Sequence, residues 1–389
     1  MVRVGRWRAA LAAGVAVAAL VGCTASDPPG EVATDGLGPR LSWAPVALPA
    51  GVEVRTLTTM GDRLLVGGLQ AGATPDTPSP VMLAIDAAGA QTPVPLKPRS
   101  PYAPLARWYS VATDGTRIVA IGGANGGAHA NVRWTTWAGT AAGVDELPQS
   151  FYAFGGWGAG DLVDAVITPA GDALVGSWGG AKAGLDAAVW TFADRTWTRQ
   201  DSAGTALEST SALLVGPRGA TDDGFGILVT GSALHLDDGV GQTAAVWRST
   251  GVNAGWRRLD LPDVGRHSES VSARCASGGD CLVTGQVDGR LALWSLSGDT
   301  ATRQTGVPAV AVGEQDGIPR PMGTGPGTTV VSPSATGTVV LSGAVEGWAI
   351  STGPTGQPVA AALVGDRLYV ATRPQAGAPA TLFVARWSG

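Results

Sequence analysis

The sequence predicts an all-β fold, a β-propeller of seven four-stranded blades closed by its own N-terminal strand, and three observations predict it. A turn holding Gly or Asp and followed by a short β-branched run recurs along the chain. A strand-like segment carrying tryptophan follows most copies. The chain ends on such a segment, and the strand that would complete the last copy stands near the start. No long apolar stripe of helical period interrupts these units.

Taken in chain order, the first element is an export signal. Arg3, Arg6 and Arg8 precede an uncharged run from Ala9 to Gly22. These are the basic and apolar regions of a secretory signal peptide over residues 1–22. The run is shorter than the roughly 20 residues that cross a bilayer. Leu20-Val21-Gly22-Cys23 resembles the lipobox of bacterial lipoproteins. The resemblance implies that Cys23 receives a diacylglyceryl group and becomes the new N-terminus after cleavage. Each buried CH₂ of the acyl chains adds about 0.8 kcal/mol, so two chains hold far better than one. The expectation is a protein anchored by Cys23 to membrane lipid, on the extracytoplasmic side of the cell membrane. Residues 23–40, rich in Pro, Gly, Asp, Ser and Thr, read as a flexible tether. Lysine occurs only as Lys97 and Lys182, and Ala, Gly and Val are heavy, a bias that resembles actinobacterial proteins.

Residues 41–389 carry the repeat. Its copies start at Gly61-Asp62, Asp114-Gly115, Gly171-Asp172, Gly224-Phe225, Gly279-Asp280, Gly337-Thr338 and Gly365-Asp366. The first six lie about 55 residues apart and the last interval is about half that, which gives seven units of the blade length. Tryptophan-bearing strands follow at Trp134, Trp190, Trp247, Trp294, Trp348 and Trp387. One copy cannot bury its own faces, whereas neighbouring copies can, with large aromatics wedged between the sheets. Leu41 to Pro49 matches the strand that follows tryptophan elsewhere, and it is expected to pair near residues 381–387 and remove two open edges. Residues 308–336 are irregular and leave six or eight blades as alternative counts. The Gly122-Gly123 pair and the Trp190 to Trp197 spacing resemble degenerate kelch-type repeats. Cys275 and Cys281 flank a turn between two strand-like runs, and export makes a disulfide their expected state. Closing a loop of about seven residues contributes about 2.4 kcal/mol in the chain-entropy model.

Composition narrows the function classes. A formal net charge of -5 argues against nucleic acid as the partner. In a propeller the connections between blades share one face with the loops joining second to third strands. The ligand-binding candidates on that face are Tyr102, Trp108, Phe151, Tyr152, Phe154, Trp157, Trp178 and Arg266. Residues 151–157 concentrate four aromatics in a glycine-bearing loop, and aromatic faces beside Arg and Asp suit sugar rings or a peptide. The competing role for the same rings is a wedge between blades or a plug in the channel. His129, His235 and His267 are too scattered to read as a metal site, and Asp237-Asp238 lacks an EF-hand pattern. Neither a metal nor a cofactor is expected. Asp161, Asp164 and Glu269 are the acids a glycosidase would use, but nothing in the sequence sets their separation. The leading expectation is a monomeric, non-enzymatic binding or scaffold module for a cell-envelope glycan or protein. The alternative is a carbohydrate-active hydrolase or lyase using acidic loop residues in the propeller funnel.

Overall fold

The computed structural model describes residues 38, 40–74, 77–126, 131–237, 239–344 and 347–387. The signal region 1–22, Cys23, most of the tether, His129 and Asp238 lie outside the described residues. The rest forms seven antiparallel sheets around one channel. The innermost strands of blades 1 to 7 are Val52–Met60, Arg107–Thr113, Ala159–Thr168, Leu213–Asp222, Ser268–Cys275, Thr329–Ser334 and Gln357–Val364. Each is followed outward by the next strands in sequence. Blade 2 gains a short parallel strand, Leu96–Lys97, against Gly143–Glu146. Blade 6 has three strands, ending at Gly347–Thr352.

The recurring turn joins the first and second strand of each blade. Its glycine takes a left-handed backbone, as at Gly61 (φ 61°) and Gly224 (φ 85°), where L side chains are strained. At Gly224 a Cβ would also stand 2.8 Å from the Ser277 carbonyl oxygen.

Two further regularities locate the core. Six inner strands carry a β-bulge at the same level, and the bulged residues are Arg55, Tyr109, Val163, Arg218, Val271 and Val359. All six line the channel, in keeping with the way a bulge re-aims one side chain. Two residues past the bulge the ladder leads, across the second strand, to the third-strand residues Trp137, Trp190, Trp247 and Trp294 in blades 2 to 5. The same register holds Leu83 in blade 1 and Phe383 in blade 7. Those four tryptophans are 0–1% exposed and belong to apolar clusters that each fill one seam between neighbouring blades. Three further clusters fill the remaining seams, so the ring has a divided core. The sequence reading placed Trp134 in the blade 2 position, but Trp137 occupies it. Trp134 is three residues off, half-buried, with its ring 4.8 Å from Tyr109. Trp387 lies past the end of its strand, in the seam between blades 6 and 7.

The N-terminal strand closes the ring. Ala44 and Pro45 pair with Val384 and Phe383, and Val46 donates its N–H to Leu382 at 2.8 Å. Pro45 lacks a donor, which an outermost strand tolerates. The segment before it crosses to blade 6, where Gly38 donates to the Ile350 carbonyl at 2.7 Å and the Trp43 indole to Thr352 at 3.1 Å. One stretch of chain thus covers the seam between blades 6 and 7. The Cys275–Cys281 disulfide is formed, with Cα atoms 4.0 Å apart across the first turn of blade 5. The Arg248 guanidinium is buried behind that turn, paired with Asp223 at 3.0 Å and donating to Gly279 at 2.7 Å. Among the described residues, no helix is long and apolar enough to cross a membrane.

Candidate functional site

Three of the five exposed aromatics among the described residues, Phe151, Tyr152 and Trp157, cluster at the connection from blade 2 to blade 3, while Tyr109 and Phe225 stand apart. A single helical turn, Phe151–Phe154, turns Phe154 inward, where it is 7% exposed and packs on Trp190 with centroids 5.8 Å apart. The same turn throws Phe151 and Tyr152 outward at 52% and 79% exposure, and Trp157 at 109% extends fully into solvent. Phe151 and Tyr152 meet edge to face at 5.4 Å, and the Arg133 guanidinium lies 5.0 Å over the Phe151 ring. Trp178 is half-buried beside this group. A Cβ on Gly158 would stand 2.6 Å from its indole nitrogen, so only glycine allows that approach. Arg199 covers its ring at 4.9 Å.

The other candidates are placed elsewhere. Trp108 is 2% exposed, lies edge-on to Trp137 at 5.4 Å and donates its indole N–H to the Val81 carbonyl at 3.0 Å. It is a wall between blades 1 and 2 and offers no face to a ligand. Tyr102 is half-buried against Gly126 of the blade 2 hairpin. Arg266 is exposed on the connection into blade 5, its backbone N–H donated to Asp288 at 3.3 Å. His235 is hydrogen-bonded to Thr243 at 3.0 Å and His267 faces Glu314 at 3.5 Å. Among the described residues, no group of three or more His, Cys, Asp or Glu side chains is arranged to hold a metal ion.

Sequence reasoning missed the breadth of the exposed face. Leu105, Leu185, Leu236 and Val240 are exposed; Leu105 closes a short helical turn, Leu185 starts a strand and the other two lie in a loop, all at the same end of the ring as Phe151, Tyr152 and Trp157. The sequence reading placed acids in the funnel but missed the arginines beside them. The channel encloses about 1100 Å³ and is lined by Arg55, Arg218, Arg274 and Arg320 with Asp114, Asp164 and Asp222. Asp164 is its central knot. Its carboxylate accepts from Ser110 Oγ, from the Ala165 N–H at 3.1 Å and from the Ala220 N–H at 2.9 Å. Arg320 reaches it at 2.7 Å from the connection into blade 6. Glu269 pairs with Arg218 at 3.2 Å; burial raises its carboxyl above the usual glutamate range, and Arg218 partly offsets this. Burial likewise raises Asp222. One weak signal existed: in several blades the channel residue stands about six positions before the turn glycine, as Arg55 does before Gly61.

No protein-family model matches the chain, and no curated protein matches it. Solved structures do. The chain is similar to the acylaminoacyl peptidase of Pyrococcus horikoshii, with a TM-score of 0.52 and 8% identity over 87% of this chain and 52% of that one. It is also similar to the β-propeller domain of the Trilobed protease from Pyrococcus furiosus, with a TM-score of 0.52 and 8% identity over 87% of this chain and 94% of that one. The chain spans about half the length of the acylaminoacyl peptidase. At these identities the likeness is one of fold, and the chain is a seven-bladed β-propeller. The Trilobed protease propeller has an open velcro topology, whereas here Ala44–Pro45 completes the last blade.

Proposed function

We propose that the chain is an extracytoplasmic lipoprotein, held to the cell membrane through Cys23, whose degenerate kelch-like propeller is a binding module for a cell-envelope glycan or protein. The observation that carries this reading is the projection of Trp157, Tyr152 and Phe151 from one connection while Phe154 of the same turn anchors it to the core. Soluble proteins bury large rings where they can, and a rigidly based exposed aromatic group marks a recognition surface. Leu105, Leu185, Leu236 and Val240 extend the apolar surface of that end of the ring. Of the three acids named for a hydrolase, Asp164 is committed to four donors and Glu269 to Arg218, whereas Asp161 is exposed.

Two experiments test the reading separately. Cys23→Ala is expected to move the protein from the membrane fraction to the soluble one, and retention in the membrane would overturn the anchor. For the binding face, wild type and Trp157→Ala would be compared on an array of cell-envelope glycans and by co-purification from detergent-solubilised envelope. The expected result is a captured component that the variant loses. Equal capture by both, or none by wild type, would overturn the role of the aromatic group.

A further inference from the structure

The channel holds one arginine with no partner. Arg55 pairs with Glu53 at 3.3 Å, Arg218 with Glu269 at 3.2 Å and Arg320 with Asp164 at 2.7 Å. Arg274, the penultimate residue of the blade 5 inner strand, lines the same channel but forms no ion pair within 4.0 Å and no hydrogen bond among the described residues. Its guanidinium is held below the usual arginine range by its enclosure, and next by the positive charge of Arg320. Arg274 is solvent-exposed within the channel lining, and two cations held close enough to repel create a site whose energy falls when an anion sits between them. Arg320 is free to share in this. It spends only Nη2 on the protein, donating to Asp164 and to the Ala220 carbonyl at 2.9 Å.

Asp222 completes the arrangement. It is the last residue of the blade 4 inner strand and attracts Arg274, yet it forms no ion pair with it. One of its oxygens accepts the Gly224 N–H at 3.1 Å, leaving the other to accept a ligand hydroxyl. Asp114, also in the lining, is neutralised by Arg117 at 2.8 Å. We infer that the turn end of the channel is a binding site for a small hydroxylated oxyanion, its charge between Arg274 and Arg320 and a hydroxyl on Asp222. Carboxylate and tetrahedral oxyanion share that chemistry, so acidic sugars and phosphorylated or sulfated polyols both belong to the class. The site lies at the opposite end of the channel from Trp157 and is independent of the aromatic face.

The test is calorimetric titration of the full chain with sulfate and with glucuronate, against sodium chloride of matched ionic strength. Saturable binding of at least one is expected. Arg274→Gln is expected to weaken it by about tenfold or more, the loss when one charge-assisted contact is removed. Arg257→Gln, on an exposed outer edge paired only with Asp299, is expected to bind as wild type does. Sulfate binding alone would assign a tetrahedral oxyanion, and glucuronate binding alone a carboxylate. Absence of saturable binding in wild type, or equal binding by Arg274→Gln, would overturn the inference. Should Arg274→Gln not fold, Arg274→Lys keeps the charge and must bind at least one of the two anions.

Discussion

Replacing Trp190 and Trp157 in turn by alanine separates wedge from platform with one chemical change. Trp190 is 1% exposed, packs on Phe154 and Trp178 with centroids 5.8 and 6.2 Å away, and donates its indole N–H to the Ala153 carbonyl at 2.8 Å. Its loss empties the seam between blades 2 and 3 and strips a hydrogen bond from the connection bearing Trp157. Large-to-small substitutions of this kind cost about 3–5 kcal/mol, and the orphaned carbonyl adds about 1 kcal/mol. Trp157, at 109% exposure, has almost no contact to lose, and surface substitutions stay within about 0.5 kcal/mol. Urea unfolding at 25 °C followed by far-ultraviolet circular dichroism measures both. Ordinary stabilities are about 5–15 kcal/mol, so Trp190→Ala is expected to lose a large fraction of the total. If it does not accumulate, Trp190→Phe keeps most of the ring, loses the donor and should cost about 1–2 kcal/mol. A cost below about 1 kcal/mol for Trp190→Ala, or equal costs at the two positions, would refute the division between buried wedge and free ring.

Three further outcomes follow from the same geometry. The double variant Cys275→Ser, Cys281→Ser is expected to lose about 2.4 kcal/mol by urea unfolding, and no change would mean that the turn is held by Arg248 and its backbone contacts alone. A chain lacking residues up to 46 uncovers the strand Thr381–Arg386; it should unfold at lower urea and show concentration-dependent light scattering, and wild-type behaviour would show that the closing strand is dispensable. Because burial raises the Asp222 carboxyl, its contribution to stability is full below the ordinary aspartate pKa and is lost as pH rises through the raised value. Wild type should therefore show a fall in urea midpoint across that window that Asp222→Asn lacks, and superimposable profiles would refute the assignment.

What the sequence revealed, and what it hid, divides by the range of the interaction. Gly61, Gly224 and Gly365 announce turns because a left-handed backbone is a local demand. Trp190, Trp247 and Trp294 announce the seams because the register repeats within each blade. Phe151 and Trp108 look alike in sequence, each an aromatic on a connection or strand start, yet one is exposed and the other walled in. Tertiary packing decides, since Val81 of blade 1 and Trp137 of its own blade enclose Trp108. The knot at Asp164 was invisible for the same reason. Arg320 is 156 residues away in sequence, and no local pattern states that a channel arginine and a strand aspartate meet. In blade 6 the turn at Gly337 and the strand of Trp348 were legible, but residues 308–336 read as irregular, and the outer cover supplied by Gly38 and Trp43 lies outside its own repeat.

The closing strand makes completion of the fold depend on segments far apart in sequence. The contacts across the seam between blades 7 and 1 join residues 304 and 320 positions apart, and the closing segment reaches blade 6 across 309 positions, whereas the remaining seams join blades that are neighbours in sequence. A growing chain can assemble blades 1 to 5 in order, but blade 7 stays incomplete until Ala44–Pro45 and Thr381–Arg386 are present together. Such non-local pairing is entropically slow, so the expected rate-limiting event of folding is the meeting of Ala44–Pro45 with Thr381–Arg386. Until that moment two sheet edges stand open. A chain in that state must be protected from pairing edge to edge with its neighbours.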